Sequence, residues 1–195
     1  MVRDGKASLR CQLQSQVKGL KKICQHADLR TRKMVASGLI TSKLQYLLPL
    51  YGAAPHYLMR TLQVQQMAAA RAALGRCAWR WNNARILRSL GWLNIRQLYV
   101  SSVLTLAHKT VTTGKPKNIY RRIVSPYAYN TRAATGNELR AWAGTVRARN
   151  RTALTHSTFN NQAIQYYNRI PLEMRSYSQA RFKCAAKRWA RENIA

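Results

Sequence analysis

Five carboxylates are all that this chain offers for acid–base or metal-assisted chemistry: Asp4, Asp28, Glu138, Glu173 and Glu192. Metal-assisted nucleotidyl transfer needs acidic side chains that converge on divalent ions, and no two of these five lie close in sequence. Asp28 has a plainer role as a helix cap, and Glu192 as a partner for its basic neighbours. The cysteines Cys11, Cys24, Cys77 and Cys184 are scattered and form no CxxC pair. That pattern reads as reduced, structural thiols rather than a disulfide framework or a zinc knuckle. His108 has no second ligand three or four residues away, so packing is its expected role. No glycine-rich phosphate loop occurs, and no Ser–His–Asp or Cys–His–acid set can be assembled with named roles. The expectation is a chain with no catalytic residue, no metal site, no cofactor and no enzymatic activity of its own.

What the sequence does offer is positive charge. Thirty-four Lys and Arg stand against five Asp and Glu in 195 residues, a formal charge of +29. Self-repulsion at that charge opposes a compact state unless anions neutralise it. A nucleic-acid backbone is the expected partner, RNA first, because each neutralised phosphate releases counterions. An anionic membrane is the rival, but no lipidation motif is present and no run approaches the roughly 18 apolar residues of a membrane span. Met1-Val2-Arg3-Asp4-Gly5 leads into a polar helix rather than the apolar core of a secretory signal. The expected location is therefore intracellular, in the nucleus or on a ribonucleoprotein.

Three stretches concentrate the residues that recognise such a partner. Arg76-Cys77-Ala78-Trp79-Arg80-Trp81 places guanidinium groups beside indoles. Two readings are open for Trp79 and Trp81: stacking on unpaired bases, worth roughly 1–3 kcal/mol per base, or filling a core. Arg147, Arg149 and Arg151 alternate, which would set three guanidinium groups on one face of an extended strand. Guanidinium forms bidentate bonds with phosphate oxygens, and the competing reading is a solvated loop. Near the end, Arg181, Lys183, Lys187, Arg188 and Arg191 surround the apolar stripe Phe182, Ala186 and Trp189. Gln63, Gln65, Gln66 and Arg71 are further donors, either toward a nucleic-acid backbone or on an exposed polar helix face.

The elements that must position these groups are helical. Ser8 caps a first helix whose stripe is Leu9, Leu13, Val17, Leu20 and Cys24. Asp28 caps the second, with Val35, Leu39, Leu44, Leu47 and Leu48 inward and Gly38 at a close helix crossing. Pro49 ends or kinks it. Pro55 opens a third helix, in which Leu58, Leu62 and Val64 lead into Met67-Ala68-Ala69-Ala70. Asn83 caps Ala84–Leu90, stopped by Gly91. Asn94 caps a helix through Thr113 with Ile95, Leu98, Val103, Leu106 and Val111 inward, and Gly114 ends it. A helical turn covers Lys117–Ile123. Residues 124–158 lose periodicity, with Thr145–Leu154 read as extended. Ser157 or Thr158 caps a helix with Phe159, Ala163, Tyr166 and Ile170, broken by Pro171, and Ser178 caps the last. The fold expected is mainly α: a helical domain over 1–123, then a small basic α-rich module over 124–195 with one short extended segment.

The order of these pieces resembles a known family. Residues 38–92 read GLITSKLQYLLPLYGAAPHYLMRTLQVQQMAAARAALGRCAWRWNNARILRSLGW. The series is similar to the thumb and post-thumb region of reverse transcriptases from non-LTR, LINE-type retrotransposons. It consists of a helix ending in Ser42-Lys43-Leu44 before Pro49, Tyr51-Gly52 and Pro55, then Leu62-Gln63 through Ala70-Arg71, then Leu90-Gly91-Trp92-Leu93. His108-Lys109, Tyr129-Asn130-Thr131-Arg132, Tyr167-Asn168-Arg169-Ile170-Pro171 and Phe182-Lys183 continue it. The resemblance implies a helical bundle that grips a template–product duplex along its backbone and packs against a polymerase palm. Arg60, Arg71, Arg76 and Arg80 would be its phosphate contacts. The palm's aspartate pair is absent, and a start at Met1 departs from the family's arrangement. A truncated frame, a relic and a domesticated protein are all compatible with that. A structural RNA-binding component of a large ribonucleoprotein, such as a ribosome, is the alternative that composition fits equally.

Overall fold

The computed structural model describes residues 2–46, 48–51, 54–123 and 159–194. Its elements are α1 (Val2–His26), α2 (Leu29–Ala36), a π-turn (Ser37–Thr41), α3 (Ser42–Gln45), α4 (Leu48–Tyr51), α5 (His56–Leu74), a 3-10 turn (Arg76–Arg80), α6 (Asn83–Leu90), α7 (Ile95–Thr113), α8 (Lys117–Ile123), α9 (Phe159–Arg169), α10 (Leu172–Arg175) and α11 (Gln179–Asn193). The described residues are mainly helical, and no strand occurs among them. The expected extended segment Thr145–Leu154 lies outside them, as do the caps Ser157 and Thr158. The chain forms two compact units, Met1–Leu48 with Ala54–Arg96, and Pro49–Ala53 with Gln97–Ala195. This division falls earlier than the 123/124 boundary read from the change in sequence texture.

In the first unit α5 packs on α1, α2 and α6. The described part of the α1 stripe is buried as its spacing predicts, with Leu13 and Leu20 fully covered and Val17 and Cys24 nearly so. The Leu9 side chain lies outside the described residues, and Ser8 is not a cap, since the helix already runs from Val2. On α5 the inward side is Leu62, Gln66, Met67, Ala69, Ala70 and Ala73. The small side chains let neighbouring helices come close. Val64 is 56% exposed, because it lies on the far side of the helix from Leu62.

The second helix is read incorrectly from sequence in one respect. Its buried row is Ala36, Ile40 and Leu44, whereas Val35 and Leu39 are only half-buried. Leu48, buried as expected, lies beyond the break on α4, and Leu47 lies outside the described residues. A spacing of four drifts around an α-helix of 3.6 residues per turn, and the wider π-turn Ser37–Thr41 takes up that drift and keeps the row on one side. Gly38 does not mark a close crossing: a methyl added there meets nothing within 4 Å. The helix stops at Gln45 with Tyr46 extended at ψ 125°, ahead of Pro49.

Caps set the other ends. Asp28 accepts from the backbone N–H of Arg30 and Thr31 at 3.2 and 3.3 Å; the Thr31 hydroxyl first, and these backbone donors after it, hold its carboxyl below the usual range. Asn82, not Asn83, caps α6, with Oδ1 accepting from Arg85 N at 2.8 Å. Gly91 ends α6 at φ 69°. Trp92 N donates to the Leu87 carbonyl at 2.8 Å and Gly91 N to that of Arg88 at 3.0 Å, a Schellman stop that favours glycine.

The second unit is organised around α7. Leu98, Tyr99, Val100, Val103, Leu104 and Ala107 are buried, together with Ser101 and Thr110. Those two hydroxyls are satisfied by their own helix, donating to the carbonyls of Leu98 and Leu106. His108 is fully buried. Its ring lies on Phe182 of α11, centroids 3.9 Å apart and 4° from parallel. Nε2 sits 2.9 Å from the Tyr177 carbonyl and Nδ1 3.4 Å from the Tyr167 hydroxyl. An Nε2–H donating to the carbonyl and Nδ1 accepting from the phenol satisfies both nitrogens of a neutral ring. This is the packing histidine the spacing called for. Helix α8, at its expected bounds, packs on α9, which is why α7, α8 and the tail form one unit.

Two predictions follow from this packing. Gly19 is exposed in the interior of α1, and a methyl there meets nothing within 4 Å. Gly19→Ala should raise unfolding stability by about 1 kcal/mol, measured by urea or thermal denaturation; a loss would show that α1 is not helical at this point. His108 is held below its ordinary value of 6.5, first by burial, against the opposing bond to the Tyr177 carbonyl. The folded state then binds fewer protons than the unfolded one near that pH, so its contribution is complete above about 6.5 and is lost as pH falls from there. Stability of the wild type should decline over that window more steeply than that of His108→Gln, read from denaturation midpoints against pH.

Candidate nucleic-acid interface

Several of the polar residues expected to meet nucleic acid make hydrogen bonds within the fold. Gln66 is fully buried and donates through Nε2 to the Leu93 carbonyl at 2.8 Å. Gln63 accepts from Ile95 N at 2.8 Å and donates to Gln66 Oε1 at 3.0 Å. The two glutamines thus bind the turn that leads from α6 into α7. One supplies an acceptor to the first turn of α7, where helical N–H groups have no partner within the helix. Arg71 donates through Nη2 to Asn83 Oδ1 at 2.8 Å, which ties the end of α5 to the start of α6. This also explains why Asn83 is not the cap.

Arginines that the sequence did not single out share this structural work. Arg32 donates from Nε to the Ala27 carbonyl at 2.7 Å, just past the end of α1, and reaches alongside Gly75 at the end of α5. Gly75 itself sits at φ 74°, a conformation that suits glycine. Lys33 donates to the Ser89 carbonyl at 3.4 Å. Arg175 donates to the carbonyls of Asn168 and Ile170, around the end of α9, with its guanidinium 5.6 Å from the Tyr167 ring centre. Cations at helix C-terminal carbonyls are favourable.

Other named residues remain free to face a ligand. Arg60 and Arg80 are exposed. Eleven residues separate Arg60 from Arg71 on α5, which places them on one side about 16 Å apart along the axis. Trp79 is 77% exposed. Trp81 is half-buried, with the Arg85 guanidinium 4.5 Å from its ring centre. The two tryptophans are therefore not equivalent, and neither is a fully buried core residue. The Arg76 side chain and Arg147, Arg149 and Arg151 lie outside the described residues.

Among the described residues, α11 carries a dense run of exposed cations. Arg181, Lys183, Lys187, Arg188 and Arg191 are all exposed, and at 3.6 residues per turn they fall within an arc of about 160°. Phe182, Ala186 and Ala190 are fully buried on the other side. The helix begins after Ser178, as expected, although the Ser178 hydroxyl accepts no capping hydrogen bond. Arg181 lies 4.1 Å over the Tyr177 ring. Lys183, Lys187 and Arg191 are spaced four apart, about 6 Å per step along the axis. Like charges at that spacing each cost a few tenths of a kcal/mol. Among the described residues no group of three or more His, Cys, Asp or Glu is placed to hold a metal ion, and no helix is long and apolar enough to cross a membrane.

Gln66→Met should separate the structural role from a binding role. It leaves the Leu93 carbonyl and part of Gln63 unpaired in a buried site, at a cost of about 1–3 kcal/mol. Affinity for nucleic acid, measured well below the unfolding transition, should be unchanged. Weaker binding with unaltered stability would return Gln66 to the interface.

No protein-family model, no curated protein and no solved structure matches this chain.

Proposed function

We propose that the chain is a non-catalytic module that binds the phosphate backbone of nucleic acid, RNA before DNA. Its resemblance to the thumb and post-thumb region of a non-LTR reverse transcriptase names the setting in which such a module works: beside a template–product strand, with the chemistry done by another polypeptide. The observation that carries the reading is the outward arc of α11. Five exposed cations share that arc, and their repulsion lowers the stability of the helix that bears them. A polyphosphate reverses the sign of that repulsion and releases counterions. Arg60 and Arg80 in the first unit supply further point contacts to phosphate. Contacts of this type position a strand and carry little sequence information.

The test is the salt dependence of binding. Affinity for RNA should fall linearly on logarithmic axes as salt rises, each lost phosphate contact removing roughly 0.7–0.9 from the slope. A triple variant, Lys183→Ser with Lys187→Ser and Arg188→Ser, should bind more weakly and flatten the slope by about two. A wild type whose binding ignores salt, or a triple variant indistinguishable from it, would remove α11 from the interface.

A further inference from the structure

We infer that Trp79 is a base-stacking platform, so that the protein prefers single-stranded nucleic acid with unpaired bases over a bare phosphate backbone. This rests on the backbone-binding reading and deepens it by naming the substrate class. The geometry of the 3-10 turn carries it. Ala78 is fully buried and pins the turn: its N–H donates to the Gly75 carbonyl and its own carbonyl accepts from Trp81 N, both at 3.2 Å. From that anchored residue the next two side chains, Trp79 and Arg80, are both exposed. An indole held 77% in water forgoes most of the stabilisation that burying an aromatic side chain provides. Trp81 shows the alternative two positions along, being half-buried and covered by Arg85.

The surroundings select the occupant. Arg80, Arg85 and Arg88 are exposed cations on the turn and on α6, and no acidic residue occurs between Asp28 and Glu138. An apolar face in such a field suits a planar ring carried on an anionic chain. A nucleobase on its phosphate strand has both properties. Within a duplex its faces are already stacked, so the available partner is an unpaired base, of RNA or DNA alike.

Fluorescence anisotropy with short labelled oligomers tests this. The probes are an adenine RNA, an adenine DNA, an abasic strand of equal length and charge, and a duplex. The wild type should bind both base-bearing single strands more tightly than the abasic strand, by about 5- to 100-fold. Trp79→Ala should abolish that difference while leaving abasic binding unchanged, and Trp79→Phe should restore much of it. The substituted side chain is exposed, so folding is not at stake. If base-bearing and abasic strands bind equally, or if Trp79→Ala keeps the preference, the stacking inference fails while the backbone reading stands. If no strand binds, both fail. Equal gains on RNA and DNA place the recognition on the base alone, and a gain on one only adds the sugar to it.

Discussion

Thirty-four cationic side chains share five carboxylates, so most of the cations must face something other than an acid. The fold meets this constraint with weaker acceptors. Arg32 uses the carbonyl past the end of α1, and Arg175 those at the end of α9. Arg71 uses the amide oxygen of Asn83. Arg85, Arg175 and Arg181 use the faces of Trp81, Tyr167 and Tyr177. Helix ends and ring faces each provide a fraction of a kcal/mol to about 1–2 kcal/mol. That is enough to order a side chain, and too little to neutralise a net charge of +29. Whatever the interior cannot absorb is carried on the surface, and among the described residues α11 carries five such cations within eleven positions.

This constraint also separates two kinds of arginine that look alike in sequence. An arginine near a helix end, within reach of bare carbonyls, closes the fold. An arginine in mid-helix on the outer side, such as Arg188, has no such acceptor beside it. Arg71 is a variant of the first kind: near a helix end, it meets the side-chain amide of Asn83 rather than a bare carbonyl. Its position four residues before the stop at Gly75 puts it beside the start of α6, where Asn83 meets it.

Local signals were legible and long-range ones were not. The α1 stripe, the cap at Asp28, the stop at Gly91, the bounds of α8 and the packing role of His108 each depend on spacing within a few residues, and each could be read directly. Leu44 and Leu48 were legible as inward positions, but Ala36 and Ile40 were not, because a π-turn changes the period before Leu44 and no residue type announces one. Asn82 and Asn83 are equally good caps by type, and only the partner of Arg71 distinguishes them. Gln63 and Gln66 were read as surface donors because their acceptors and donors lie 27 and 32 residues away, beyond any local pattern. On the candidate interface, the outward arc of α11 followed from periodicity. The difference between Trp79 and Trp81 did not, since it depends on which of the two Arg85 can cover.

The apolar and cationic sides of α11 are set by one packing event. Each buried position is followed directly by a cation: Phe182 by Lys183, Ala186 by Lys187, Ala190 by Arg191. A slip of one residue in the docking of this helix would therefore place three charges where three apolar groups now lie, and a buried unpaired charge is among the costliest defects a fold can hold. The stack of Phe182 on His108, with both imidazole nitrogens occupied by Tyr167 and Tyr177, holds the Phe182 side of the helix inward. The direction of the cationic arc is thus decided in the core, by an aromatic pair that touches no ligand. This is how a chain with so few acids can still aim its surplus charge.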